Sequence, residues 1–251
     1  MKAIETNPDT RVIVVTAGTQ VAFDLYSDDG MEYLSALWLK ISAQRRLMYE
    51  VSWMGVPFIQ LAEDLAMMHE LVWKLQPDAI IECGIGQGGG LIFYSSMMEL
   101  LGKGIVVGVD IEIKDQNRQR LDACPFRRRM ELVEGSSVAT DVVERVGKLV
   151  EGMNSVMVIL DSDHTAAHVA RELELYHRFV KPGGYLVVMD GGAAHVWDIP
   201  RDQSKYKDNH PLLAVDDFLK SHLEFEIDPH YNRLGITSSP SGFLRRKPPA
   251  S

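Results

Sequence analysis

One stretch constrains the fold more than any other: Ala79-Ile80-Ile81-Glu82-Cys83-Gly84-Ile85-Gly86-Gln87-Gly88-Gly89-Gly90. Its apolar start has the length and branching of a buried parallel strand, and Leu91-Ile92-Phe93-Tyr94 after the glycines is helix-compatible. The implied order is strand, tight turn, helix. Glycines suit such a turn because the backbone takes positive φ there and lets a ligand approach within contact distance, which a Cβ prevents. The turn is therefore read as the mouth of a nucleotide-type cofactor site.

Two cofactor classes fit the spacing. Gly84, Gly86 and Gly89 match G-x-G-x-x-G, in which a pyrophosphate sits at the helix N-terminus, as in an NAD-dependent oxidoreductase. Glu82, Gly84, Gly86 and Gly88 are also similar to E-x-G-x-G-x-G, the first motif of class I methyltransferases that use S-adenosylmethionine (SAM). The acid tilts the balance. A carboxylate at the strand end repels a pyrophosphate but can organise the loop around the ammonium of an amino-acid ligand.

The rest of the chain alternates in the same way. Strands are expected at 79–82, 105–110, 130–133, 156–160 and 185–189, with helices near 90–101, 115–123, 138–151 and 165–180. This is the pattern of an α/β, doubly wound, Rossmann-like parallel sheet with helices on both faces. Runs at 225–228 and 242–246 are expected to close its edge, and the tail 247–251 to fray. Residues 1–52 read as an N-terminal extension: a short strand at 12–15, then a helix at about 31–49. That helix places Leu34, Leu37, Trp38, Ile41 and Met48 on one face, a stripe that reads as core, as a cap on a pocket or as a contact with another subunit.

At 251 residues the chain suits one domain, here 53–251, plus that extension. A net charge of −9 argues against a nucleic-acid partner, and Arg127-Arg128-Arg129 reads as a solvated turn. No apolar run reaches the roughly 20 residues that cross a bilayer, and Glu5 and Asp9 precede the first apolar run, unlike the basic start of a secretory signal. No membrane association and a cytoplasmic enzyme are expected. Two cysteines, Cys83 and Cys124, make no disulfide framework.

Ligands of open α/β sheets bind outside the carboxyl ends of the strands, and four strands here end in acids: Glu82, Asp110, Asp161 and Asp190. Asp110 can accept hydrogen bonds from ribose hydroxyls in either cofactor class. Ser136 and Ser137, after the third strand, can meet an adenine edge or cap the next helix. Asp161-Ser162-Asp163-His164 carries the most chemistry, because a neutral imidazole can take a proton from a hydroxyl. Asp161 and Asp190 on adjacent strands would offer two hard oxygen ligands for Mg²⁺. The loop 191–211 brings His195, Trp197 and Tyr206 in a mix suited to a substrate lid, and Trp53 could cover cofactor or substrate.

Taken together, Trp53-x-Gly55-x-Pro57, the glycine motif, Gly108-Val109-Asp110-Ile111, Glu134-Gly135-Ser136-Ser137, Leu160-Asp161-Ser162-Asp163-His164-Thr165-x-x-His168-Val169, Glu172-Leu173-x-x-Tyr176, Gly183-Gly184-Tyr185 and Ser241-Gly242-Phe243-Leu244-Arg245-Arg246 resemble the cephalosporin hydroxylase and rhamnosyl O-methyltransferase family. The resemblance implies a class I SAM-dependent methyltransferase of bacterial specialised metabolism, antibiotic biosynthesis included. It implies a homo-oligomer that methylates a hydroxyl of a small molecule such as a sugar or macrolide. It implies His164 as the base and Asp161 with Asp190 as Mg²⁺ ligands; beside it, the residue reading gives Glu82, Gly84, Gly86, Gly88, Asp110, Ile111, Ser136, Ser137 and Asp161 to SAM, Asp161 to the base's side, and Trp53, Asp163, His195, Trp197 and Tyr206 to the acceptor. One position departs: Met189 stands where metal-dependent members carry Glu. An accessory subunit without activity, and N- or C-methylation, are the alternatives to O-methyl transfer.

Overall fold

The computed structural model describes residues 3–7, 12–17 and 19–248. The N-terminal part forms an antiparallel sheet of β1 (Ala3–Asn7), β2 (Val12–Ala17) and β3 (Thr19–Asp24), followed by helix α1 (Asp28–Arg45). The sequence pattern showed one of these three strands. Then come a small hairpin, β4 (Ser52–Trp53) with β5 (Val56–Pro57), and α2 (Ala62–Leu75).

From there strand and helix alternate: β6 (Ala79–Cys83), α3 (Gly89–Leu100), β7 (Ile105–Asp110), α4 (Asp115–Asp122), β8 (Met130–Glu134), α5 (Thr140–Leu149), β9 (Val156–Leu160), α6 (Ala166–Tyr176), β10 (Tyr185–Val188) and α7 (Ala193–Val196). The chain ends with α8 (Pro211–Ser221), β11 (Phe225–Ile227) and β12 (Phe243–Arg246). The seven strands from β6 onward form one sheet in the order β11-β12-β10-β9-β6-β7-β8. Pairs from β10 through β8 are parallel, and β12 runs antiparallel between β10 and β11. The five expected parallel strands and both edge strands are thus present, each within a residue of its expected limits.

Every residue of β6 and β9 is buried, because helices cover both faces. Ile80, Val106, Met157 and Val187 pack with α2, α3 and Leu121 of α4 on one face. Ile81, Val107, Val158 and Leu186 pack with α5, α6 and α8 on the other. This is the doubly wound arrangement. Strand order reverses between β6 and β9, and the crevice at their carboxyl ends is the ligand position such sheets share.

Helix α1 does not bury the expected stripe. Ser35, Leu39 and Ser42 face inward, whereas Trp38 and Ile41 are 44% and 47% exposed. Small residues win the inner face because α1 lies close to other backbone: a Cβ on Gly235 would stand 3.1 Å from Ser35 Oγ, and one on Gly30 would stand 2.1 Å from the Asp24 carbonyl. The basic cluster is spent on ion pairs: Arg127 Nε donates to Asp122 at 2.8 Å, and Arg128 and Arg129 both bind Glu99. Of the tail, Lys247 is tied to Leu223 and Glu224 carbonyls, and residues 249–251 lie outside the described residues.

Candidate active site

Two clefts meet over the turn after β6. The first, of about 350 Å³, is lined by Glu82, Gly84, Ile85, Gly86, Asp161, His164 and Asp190, with Leu39, Ala43, Met48 and Tyr49 of the α1 region, Gln203, Tyr206 and Ser238. The second, of about 470 Å³, is lined by Asp110, Ile111, Ser136, Ser137, Asp163 and His168. Gly84, Gly86, Asp161 and Ser162 border both. A bipartite ligand can therefore lie across the turn with one end in each cleft.

The turn is shaped for close approach. Gly84 has φ of 98°, and a Cβ there would sit 2.0 Å from the Asp161 carbonyl oxygen. Gly86, at φ 53°, has open space where its Cβ would project. Asp110 braces this backbone: its Oδ2 accepts from Ile85 N at 2.9 Å and Gly86 N at 3.2 Å, and its Oδ1 from Glu112 N at 3.2 Å. Ile111, 75% exposed, presents an apolar surface in the second cleft.

Glu82 is the unusual group. Its carboxyl is buried on the α3 side of β6, Oε2 has no hydrogen-bond partner, and a Cβ on Gly90 would stand 2.2 Å from Oε1. Burial, followed by repulsion from Asp110, pushes its pKa well up. A buried carboxylate with a free oxygen on a ligand cleft fits a cationic partner such as the ammonium of SAM, and a pyrophosphate does not fit beside it.

At the ends of β9 and β10, His164 Nε2 lies 3.1 Å from Asp190 Oδ2. Asp161, His164 and Asp190 bring one ligand atom each within 4.8 Å of one another. Burial, then Asp190 and Glu82, raise the Asp161 pKa well above the carboxylate range. Asp190 itself has φ of 57°, a left-handed conformation that non-glycine residues keep where surrounding structure holds them. Ala193 N bonds the Asp190 carbonyl at 3.0 Å and Gly192 N the Ser238 carbonyl at 2.7 Å. Met189 is buried and turned away, its sulfur accepting from Ser239 Oγ at 3.6 Å.

Several expected residues lie elsewhere. Trp53 lines neither cleft; its indole N–H donates to Ser96 at 3.1 Å and its ring packs edge-on against Phe93, because the hairpin sits on α3. His195 and Trp197 lie on the outward side of α7 and line neither cleft, and Trp197 stacks under Lys207. Asp163 accepts from Thr165 N at 2.8 Å at the start of α6 and borders the second cleft rather than the first. Tyr206 does line the first cleft. Ser137 is buried with Oγ 3.1 Å from His168 Nε2.

Other residues of the site were not assigned from sequence. Gln60 Nε2 donates to Asp161 Oδ2 at 3.3 Å, and buried Asp64 accepts from Ser238 N at 2.8 Å and Ser238 Oγ at 2.6 Å. Both lie outside any motif with a local signal. Lys40 bound to Asp198 at 2.6 Å, and Arg201 N donating to Gln44 at 2.8 Å, strap the 191–210 loop to α1. His168 and Glu172 did stand in the segments that resemble a family; Ser162 Oγ donates to Glu172 at 2.7 Å and lies 3.1 Å from His168.

Comparison with known proteins places the chain in a family and a fold. Residues 45–247 match the family model described as rhamnosyl O-methyltransferase/CmcI. Rhamnosyl O-methyltransferase of Mycobacterium leprae is 29% identical over 203 residues, covering 78% of this chain and 83% of the relative. That of Mycobacterium tuberculosis H37Rv is 27% identical over 213 residues, covering 78% of each. Among solved structures, a magnesium- and SAM-bound CmcI superposes with a TM-score of 0.57 at 19% identity, over 79% of this chain and 77% of that one. The O-methyltransferase TomG of Streptomyces achromogenes, in complex with SAM, gives 0.50 at 20% identity over 76% and 79%.

Proposed function

Because the chain belongs to the rhamnosyl O-methyltransferase/CmcI family, we propose that it transfers a methyl group from SAM to a hydroxyl of a sugar or other small natural product, with His164 as general base. The observation that carries this reading is the convergence of Glu82, the glycine turn, Asp161, His164 and Asp190 on one cleft. Bound SAM supplies an electrophilic methyl on a sulfonium. Glu82 answers the ammonium, Asp110 and Ile111 border the nucleoside with Ser136 and Ser137, and Gly84 to Gly88 let the ligand lie against backbone.

The acceptor side is the first cleft beyond His164. Its hydroxyl proton passes to the imidazole, and Asp190 at 3.1 Å stabilises the charge that forms. Leu39, Ala43, Met48 and Tyr49 give this side an apolar wall, with Tyr206 and Gln203 as its polar contacts, a surface suited to a sugar or macrolide face. Holding donor and acceptor aligned and shielded from water is the larger part of catalysis by such a site.

The donor set fits a Mg²⁺ held by Asp161 and Asp190, with water in its other positions. Met189 adds no ligand, so binding is weak. An ion there would lower the acceptor hydroxyl's pKa. Of the N-terminal extension, Leu39, Ala43, Met48 and Tyr49 wall the acceptor cleft. The exposed Met31, Trp38 and Ile41 of α1 support a homo-oligomer, and among the described residues no helix is long and apolar enough to cross a membrane. The reading retains a cytoplasmic location.

Calorimetry with SAM, its demethylated product and NAD, followed by a methyl-transfer assay over sugar, macrolide and phenol acceptors, tests this. SAM binding with transfer to oxygen is expected. Tight binding of NAD alone overturns the reading, and SAM binding without turnover on any acceptor, with or without Mg²⁺, turns it toward an accessory subunit.

A further inference from the structure

Far from the cleft, the C-terminal ends of α6 and α8 meet on the outer layer of the sheet. Glu174 lies in the last turn of α6, His177 caps that helix, and His222 caps α8. One potential ligand atom from each lies within 4.8 Å of the others, and His222 Nδ1 is 3.9 Å from Glu174 Oε1. None of these residues borders the SAM or acceptor clefts.

The two imidazoles are fixed before any ligand arrives. His222 stacks on Phe218 with ring centroids 4.0 Å apart and an interplanar angle of 13°, and His177 meets His222 edge-on at 4.6 Å. His222 Nδ1 also reaches the Phe218 carbonyl at 3.2 Å. His177 Nδ1 is buried with no hydrogen-bond partner, although an imidazole nitrogen inside protein normally has one. Two helix C-termini converge here, and each carries partial negative charge that favours a cation. The other charges facing His177 are Glu224 and Arg246, and these lie 4.0 Å from each other.

We propose that Glu174, His177 and His222 form a zinc site that joins α6 to α8. Two imidazoles and one carboxylate are borderline ligands that suit Zn²⁺ in a four-coordinate site with one open position, whereas Mg²⁺ prefers all-oxygen sets. Ligands about 2.1 Å from a tetrahedral ion stand about 3.4 Å apart, so closure from within 4.8 Å needs movements of up to about 1.4 Å. Glu174, whose side chain is 52% exposed, can supply most of this by rotation. The site would act as a clamp. At their other ends the same helices start close to the site's segments: α6 begins two residues after His164, and Ala166 N bonds Asn209 just before α8 at 2.8 Å. A metal at the far ends would hold the helix pair there, as the Ala166–Asn209 bond holds it at the end next to His164.

The test uses the full chain freed of metal by chelation and titrated with ZnCl₂, read by calorimetry and thermal unfolding, with Co²⁺ absorption reporting tetrahedral coordination. The wild type is expected to bind one Zn²⁺ at these residues and to melt higher with it. Glu174→Gln, a surface change that leaves the fold intact, should weaken binding about tenfold, and His222→Ala should abolish it. Asp190→Asn controls for the cluster in the cleft and should leave this site filled. Failure of the wild type to bind Zn²⁺, binding unmoved by both Glu174→Gln and His222→Ala, or binding lost only in Asp190→Asn would overturn the proposal.

Discussion

Residues 84–90, after β6, and residues 190–192, after β10, border the same cleft but are held by different means. In the first turn the constraint is backbone space: Gly84 carries φ of 98° with the Asp161 carbonyl 2.0 Å from where a Cβ would stand. In the second, a charged residue takes the left-handed conformation, at a cost on the order of 1 kcal/mol. Tertiary contacts hold it there, through Ser238 and the buried Asp64 beneath. The first turn is thus set by residue type, since at Gly84 a side chain has no room against the Asp161 backbone. The second is set by contacts between distant segments, from Gly192 to Ser238 and from Ser238 to Asp64.

The sharpest way to break this contrast is Gly84→Ala. A Cβ against a backbone carbonyl that cannot move is expected to cost about 3 kcal/mol in stability and to remove measurable SAM binding, read by thermal unfolding and calorimetry. Near-native SAM affinity would show that the turn is not space-limited. Asp190→Asn comes next. With the imidazolium of His164 no longer matched by a carboxylate, kcat should fall roughly a hundredfold while the Kd for SAM stays within about twofold. A loss confined to SAM binding would move Asp190 to the cofactor half.

Glu82→Gln probes the cofactor half by charge. SAM should bind roughly 30-fold more weakly, about 2 kcal/mol. The wild type should show a pH signature that the variant lacks. Burial raises the Glu82 pKa, so the folded protein holds a proton the unfolded chain releases, and stability without ligand falls as pH rises above the ordinary carboxylate range. The SAM ammonium reverses the shift: binding should release a proton and strengthen with pH until Glu82 ionises unaided. Calorimetry in buffers of different ionisation enthalpy measures that release. The smallest effect belongs to Tyr206→Ala, expected to raise the acceptor KM roughly fivefold with SAM binding unchanged.

The same contrast explains what the sequence made legible. Strands such as 105–110 and 156–160 read correctly because a parallel strand buried on both faces is a continuous apolar run. Glu82, Asp110, Asp161, His164 and Asp190 could be singled out because strand ends bring them to one edge, where they border the two clefts. Trp53 and Trp197 were misplaced because an aromatic near a site motif carries no sign of which way it points, and here one packs on α3 and the other faces outward. The stripe of α1 misled for a related reason: where backbones pack closely, serine takes the inner face and tryptophan the outer. Gln60 and Asp64 had no local signal, since their partners Asp161 and Ser238 are known only once the chain folds.

The central claim is that His164 removes the proton from a hydroxyl acceptor. Single-turnover methyl transfer by His164→Ala, with SAM binding measured in the same preparation, tests it most directly. Transfer is expected to slow by about 10²- to 10⁴-fold with SAM affinity within twofold of wild type. Near-native transfer with SAM bound would contradict it.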